Sequence, residues 1–278
     1  MSEGVVVSGA STGIGAAAVE LLANKGYVAF AGVRNDADAQ RLAAFHPNVR
    51  PIALDVTSAE SIAAAAAEIR ASGVSLLGVV SNAGIAKGGP LETIPLDELR
   101  HQFEVNVIGA LAVVQAFLPS LPENRGRVVF VGSISGRLAT PYIGPYSASK
   151  FALRSIADSL RVELAPDGIA VTLIEPASVK TPIWQKGRDY QEQLYKNLGE
   201  NPRPHYRRAL ESVVETTNNE ERGGMPVEVV SEAIYRALTD TKPRAAHLVG
   251  TSAKLGSILA SLPAGLRSRI VRKAMRLP

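Results

Sequence analysis

The chain contains no cysteine. Disulfides, thiolate metal sites and cysteine nucleophiles are therefore excluded, and a reducing compartment is compatible. Histidine is scarce as well. His46, His101, His205 and His247 are scattered without metal-ligand spacing, so no metal site is expected. Aromatics make up only 5%, and no basic-aromatic interleaving suggests a nucleic-acid platform. The net charge is a mild +4, with basic residues gathered towards the C-terminus, and no nucleic-acid partner is expected. No apolar run of about 18 residues is present, and no charged-then-apolar leader precedes Val5-Val6-Val7. A cytoplasmic location is the expectation.

What is present suits a sizeable core. The 278 residues are 46% hydrophobic and 20% charged, which fits a single domain over 1–278. Short apolar runs alternate with helical patterns. The strand candidates are 5–8, 28–33, 49–54, 77–81, 127–131 and 170–174. The helix candidates are 14–25, 37–44, 59–71, 96–118 and 146–165. Nearly continuous apolar strands indicate burial on both faces. The pattern predicts an α/β fold: a Rossmann-like, doubly wound parallel sheet in three α/β/α layers. Residues 183–226 turn polar and read as a lid over a cleft. A helix at 226–239 and a last strand at 245–249 follow. Residues 251–278 form an amphipathic basic extension with Leu255, Ile258, Leu259, Leu262, Leu266 and Ile270 at helical spacing. A helix packed over the cleft or against another subunit is favoured there over a helix on a membrane surface.

The first strand runs into Gly9-Ala10-Ser11-Thr12-Gly13-Ile14-Gly15, which opens a helix. Glycines permit a tight turn, and a helix N-terminus offers N–H groups and positive dipole to a pyrophosphate. A plain flexible turn is the alternative. Val33-Arg34-Asn35 ends the second strand without the acidic residue that would bind a ribose 2′-hydroxyl. Arg34 offers a guanidinium to a 2′-phosphate instead, which favours NADP, while Asp36 and Asp38 keep NAD open. Asp55, followed by Val56, could accept from an adenine amino group or cap the next helix. Asn82-Ala83-Gly84 can brace the loop and let a cofactor lie close, or form a simple turn.

Tyr146 and Lys150 are four residues apart, on one face of a helix. A lysine ammonium beside a tyrosine lowers its pKa and makes it a usable acid or base. Chance alone supplies about 0.2 such pairs in a chain of this composition, so the pair gains weight only from its company.

That company resembles the short-chain dehydrogenase/reductase family over about residues 4–182, through Gly9, Gly13, Gly15, Asp55, Asn82-Ala83-Gly84, Asn106, Ser133, Tyr146 and Lys150. The resemblance implies Tyr146 as the acid/base and Lys150 as a holder of the nicotinamide ribose. It implies Ser133 as a partner of the substrate oxygen. It also implies Asn106 as a helix kink with a water-linked relay to Lys150. Val179 and Thr181 match positions that touch the cofactor. The family's Pro-Gly is Pro176-Ala177 here, and Ala177 cannot take positive φ cheaply. A homodimer or homotetramer is implied.

The expected reaction is hydride transfer between NADP(H) and an alcohol or ketone. The 183–226 aromatics, Trp184 especially, suggest a lipophilic small-molecule substrate or else pack the lid onto the body. The 246–250 strand and basic tail look like the steroid- and retinol-converting branch. The alternatives are a silent nucleotide-binding sensor, whose relatives usually lack a site residue, and a sugar-nucleotide epimerase, which needs a larger C-terminal domain.

Overall fold

Strands that are apolar on both faces need helices above and below them, and this is how the chain folds. The computed structural model describes residues 3–123, 125–196, 218 and 221–275. Its strands are β1 (Gly4–Val7), β2 (Val28–Val33), β3 (Val49–Ala53), β4 (Leu76–Ser81), β5 (Arg127–Val131), β6 (Ala170–Pro176) and β7 (Ala246–Val249). They form one parallel sheet in the order β3-β2-β1-β4-β5-β6-β7. The chain starts mid-sheet, runs outward to β3, then crosses back to β4. The direction reverses between β1 and β4, so a crevice opens at the carboxyl ends of these strands.

The helices are α1 (Gly13–Asn24), α2 (Asp36–Ala43), α3 (Ala59–Ala71), α4 (Leu96–Phe103), α5 (Gly109–Phe117), α6 (Gly144–Glu163), α7 (Ile183–Lys196), α8 (Val227–Thr239), α9 (Thr251–Ala260) and α10 (Ala264–Ala274). Alternate strand residues serve opposite layers. Val6, Val128, Phe130 and Leu173 join Ile62, Ile69, Val113, Phe117 and Leu153 in one core. Val5, Val7, Val129 and Ile174 join Val19, Leu22, Ile234 and Leu238 in the other. Each fully buried large side chain contributes about 1.5–3 kcal/mol.

The strands match expectation to within a residue or two. The run expected as a helix over 96–118 is helical from Leu96 to Ser120, with one irregularity. α4 and α5 are separated by a π-helical turn, Glu104–Ile108, centred on Asn106. A widened turn of this kind displaces the backbone ladder and re-aims the chain. The whole run Leu96–Ser120 is long and apolar enough to cross a membrane by length and composition. Here Val113, Val114 and Phe117 bury it as a core helix.

Of the expected lid, α7 and the segment from Glu221 to Pro226 are described, and Met225 pairs in parallel with Val179. Residues 197–217 and 219–220, Tyr206 among them, lie outside the described residues, as does the Tyr195 side chain. The extension is two helices, with Pro263 at the N-cap of α10. α9 does pack near the cleft. A Cβ on Gly256 would come within 2.9 Å of the Ile134 side chain. Leu255 and Ile258 face away, 67% and 66% exposed.

Candidate active site

The β1–α1 loop is shaped for close approach. Gly9 and Gly13 have φ of +64° and +59°, a region costly for other residues. A Cβ on Gly15 would stand 2.3 Å from the Gly9 carbonyl oxygen. Thr12 is the N-cap of α1, but its side chain makes no capping bond. The first-turn N–H groups therefore point from a helix end that is not closed by its own cap, which suits a phosphate. Ser11 and Ile14 complete this turn, and the Ile14 side chain packs on the core.

Asn82 braces the loop as expected. Its side-chain N–H group donates to the Ser8 and Gly9 carbonyls, both at 3.0 Å. In return, the Ser8 hydroxyl accepts from the Asn82 and Ala83 backbone N–H groups at 3.0 and 3.1 Å. Ser8 was not legible from sequence, where it looked like the end of an apolar strand. Thr181 closes the other side, 3.1 Å from where a Gly13 Cβ would sit.

At the end of β2, Arg34 is exposed. Asn35, expected to hold cofactor, uses its side chain as the N-cap of α2. It accepts from the Asp38 N–H and donates to the Asp38 carboxylate, each at 2.9 Å. Arg41 also donates to Asp38, at 2.8 Å, and to the Ser11 carbonyl. The Arg41 bond, followed by that from Asn35, holds the Asp38 carboxyl below its ordinary range. The acidic residue that would have suited a ribose hydroxyl is thus already engaged. Arg41 was missed because it lies 30 residues from Ser11.

Asp55 accepts from the backbone and hydroxyl of Thr57, at 2.9 and 2.7 Å, and both bonds lower its pKa. Ser58, not Asp55, caps α3. The Val56 side chain belongs to the core rather than to a binding surface. Its carbonyl would lie 2.4 Å from a Cβ on Gly109, which is how α5 approaches so closely.

The four candidate catalytic residues converge. Asn106 is fully buried; its amide accepts from the Ile85 N–H at 2.9 Å and donates to the Ile85 carbonyl and Ser149 hydroxyl at 2.9 and 3.0 Å. A Cβ on Gly84 would stand 3.4 Å from this amide oxygen and 3.7 Å from Lys150 Nζ. Lys150 Nζ donates to the Val131 carbonyl at 2.9 Å and lies 5.7 Å from the Tyr146 ring centroid. Ser133 lies two residues past β5 and caps the short turn Ile134–Gly136, its hydroxyl accepting from the Ser135 N–H at 3.1 Å, and it lies close enough to Tyr146 to act on its phenol.

The electrostatics differ from expectation. Burial pushes the Tyr146 phenol up to about 12, against a smaller lowering by the Ser133 hydrogen bond. Burial lowers Lys150 to about 8. Burial of the phenol is the largest cause and sets the direction for Tyr146, the reverse of the fall that the sequence suggested.

β6 runs to Pro176, and Ala177 donates to the Val249 carbonyl at 3.1 Å. Tyr142 is the one non-glycine at positive φ among the described residues, so Ala177 keeps ordinary backbone. The Trp184 indole N–H donates to the Val179 carbonyl at 2.7 Å. That bond fastens α7 to the body, so the indole nitrogen is committed to packing rather than to a substrate.

The family model described as short chain dehydrogenase matches residues 3–192. The chain belongs to this family. It is accordingly a short-chain alcohol dehydrogenase or carbonyl reductase, an oxidoreductase acting on CH–OH or carbonyl groups with a nicotinamide cofactor. Among relatives of this short-chain dehydrogenase, the NADPH-dependent 3-dehydrocapnine reductase of Ornithobacterium rhinotracheale is 35% identical over 258 residues, 88% of this chain and 87% of that protein. A short-chain dehydrogenase structure from Streptomyces avermitilis superposes with a TM-score of 0.78 at 28% identity, covering 99% of this chain and 96% of that one. One from Burkholderia cenocepacia in complex with NADP gives 0.74 at 26% identity, covering 97% of each.

Proposed function

We propose that this short-chain dehydrogenase is an NADP(H)-dependent oxidoreductase in which Tyr146 is the proton donor and acceptor for an alcohol/ketone pair. The observation that carries the reading is the buried Lys150 ammonium 5.7 Å from the Tyr146 ring centroid, with Ser133 acting on the same phenol. Gly9, Ser11, Thr12, Gly13, Ile14 and Gly15 would hold the pyrophosphate, with Thr181 closing over it. Asp55 would lie at the adenine, and Arg34 at the 2′-phosphate. Asn82, Ala83, Gly84, Pro176 and Val179 would flank the nicotinamide half. Bound there, the dinucleotide supplies or takes up the hydride.

The chain itself manages the proton. A phenol held near 12 is protonated throughout the neutral range, which suits donation to an alkoxide as it forms. The Ser133 hydroxyl, fixed by its neighbours, stabilises that oxygen. Lys150 places positive charge beside the ring and replenishes the proton. Asn106 commits both ends of its amide to Ile85 and Ser149, so its part is to hold the Gly84–Ile85 turn against Lys150.

The substrate is read as a ketone or alcohol with an apolar body, supported by the aromatic faces of Trp184 and Tyr190 on α7. The reading extends to a cytoplasmic homodimer or homotetramer. The absence of cysteine supports the first, and exposed Ile108, Phe151 and Val162 support the second. A panel of steroid, retinoid, aliphatic and aryl carbonyls with NADPH and NADH tests the function. Reduction of some member by the native protein, nearly abolished in Tyr146→Phe with NADPH binding intact, is expected. NADPH binding with no oxidation against the panel would make the protein a sensor instead.

A further inference from the structure

We infer that Gln102 and Tyr190, gathered by Lys87 beside the catalytic residues, form a subsite for an uncharged acceptor oxygen on the substrate, such as an amide or ester carbonyl. The inference deepens the reading above and rests on it for the word substrate.

The subsite is built from the loop after β4, from α4 and from α7. Glu98 and Gln102 lie one turn apart on α4 and share a face. That face meets Lys87. The Lys87 backbone N–H donates to Gln102 Oε1 at 2.5 Å, while its ammonium pairs with Glu98 and lies 5.3 Å from the Tyr190 ring centroid. The loop is continuous with the proton site. Gly84 abuts Asn106 and Lys150, a Cβ on Gly187 of α7 would meet the Ala86 carbonyl at 3.4 Å, and Gly89 donates to the Tyr142 carbonyl at 2.6 Å just ahead of α6.

Two donors in this cluster have no partner among the described residues: Gln102 Nε2 and the Tyr190 hydroxyl. Gln102 is fully buried. Its amide orientation is set by chemistry, because a backbone N–H must meet Oε1, and this leaves Nε2 as the unclaimed end. Burial, followed by the Glu98 charge, pushes the Tyr190 phenol up to about 12, so its O–H remains a donor at neutral pH. Native structures rarely leave buried donors unclaimed, and acceptors delivered with a ligand would answer them. The Lys87 ammonium is already balanced by Glu98. The cluster therefore carries no net charge, which favours a neutral acceptor over an anion.

The test is binding, so it does not depend on turnover. Methyl ketones carrying an amide carbonyl at increasing distance are titrated calorimetrically with NADP+ present, alongside their hydrocarbon and carboxylate counterparts. The native protein is expected to prefer one of the amides over its hydrocarbon. Tyr190→Phe, which keeps the ring beneath Lys87, should reduce that preference by about 3- to 10-fold, as loss of one neutral hydrogen bond does. Gln102→Met should reduce it similarly. Equal binding of amide and hydrocarbon by the native protein overturns the inference, as does a preference that survives in both variants. A carboxylate bound more tightly than the amide overturns the neutral-acceptor assignment. If no ketone is reduced but the preference and its loss are seen, the reductase reading fails and the subsite stands.

Discussion

Arg137 grips Glu175 through both carboxylate oxygens: Nε donates at 2.8 and 2.9 Å, and Nη2 at 2.6 Å. Glu175 is fully buried on β6, and Arg137 follows Ser133 by one turn. The same guanidinium donates to the Ser257 hydroxyl on α9 at 3.3 Å. Sheet, serine segment and tail are thus tied at a single point. Removing one member of a buried ion pair strands the other, at about 3–5 kcal/mol. Arg137→Met is expected to lose stability on that scale in urea titration, while Arg137→Met with Glu175→Leu recovers most of it. An unchanged urea midpoint in the single variant would contradict the tie.

Lys150 gives the reaction an alkaline limb. Its folded pKa of about 8 lies below the unfolded value of about 10.4. The charge beside Tyr146 is therefore complete well below pH 8 and lost as pH rises through it. Tyr146, pushed up to about 12, remains protonated over the same window. Reductive kcat/KM is expected to fall above pH 8 with a one-proton slope. The folding contribution has the opposite sense: the burial penalty is fully present below pH 8 and is relieved between there and about 10.4, because the unfolded state binds the proton more tightly. A flat kcat/KM profile from pH 7 to 9 would refute the assignment to Lys150.

Arg34 should decide between cofactors. Asp38 is engaged by Asn35 and Arg41, so no free carboxylate competes for the 2′ position from that residue. A charge-assisted bond is worth about 1.5–3 kcal/mol, or roughly 10- to 100-fold. Arg34→Ser is expected to raise the NADPH KM by that factor and to leave the NADH KM nearly unchanged. Parallel losses with both cofactors would place Arg34 outside the 2′-phosphate site.

Asn106→Ala would leave the Ile85 N–H and carbonyl without their partners. Each buried orphan costs about 1–3 kcal/mol. A lower melting temperature, together with a loss of kcat larger than the change in NADPH affinity, is the expected pattern, read by thermal denaturation and steady-state kinetics. A variant of native stability would show that the amide is dispensable to the turn.

The fold was legible because each strand carries its own signal: apolar on both faces, short, and followed by a helical pattern. The glycine loop was legible because positive φ at Gly9 and Gly13 writes glycine into the sequence. Other features were hidden for physical reasons. The π turn has neither Pro nor Gly in Glu104–Ile108. What fixes it is Asn106 bonding to Ile85, 21 residues away. The Tyr146–Lys150 spacing was visible, but the direction of the tyrosine pKa was not. That direction depends on burial, which only the folded chain shows. Trp184 could be read from sequence either as a substrate surface or as packing for the lid; its N–H bond to Val179 supports the packing role.

The serine segment is finished late in the life of the chain. Arg137 is separated from Ser257 by 120 residues. At about 5–20 residues per second of synthesis, the guanidinium waits roughly 6–24 s on the ribosome for that hydroxyl. During this interval Tyr146, Lys150 and the glycine loop already exist in the nascent chain, while the face that α9 will cover is bare. A C-terminal fusion or a premature stop therefore acts on the segment that carries Ser133, far in sequence from where the lesion lies.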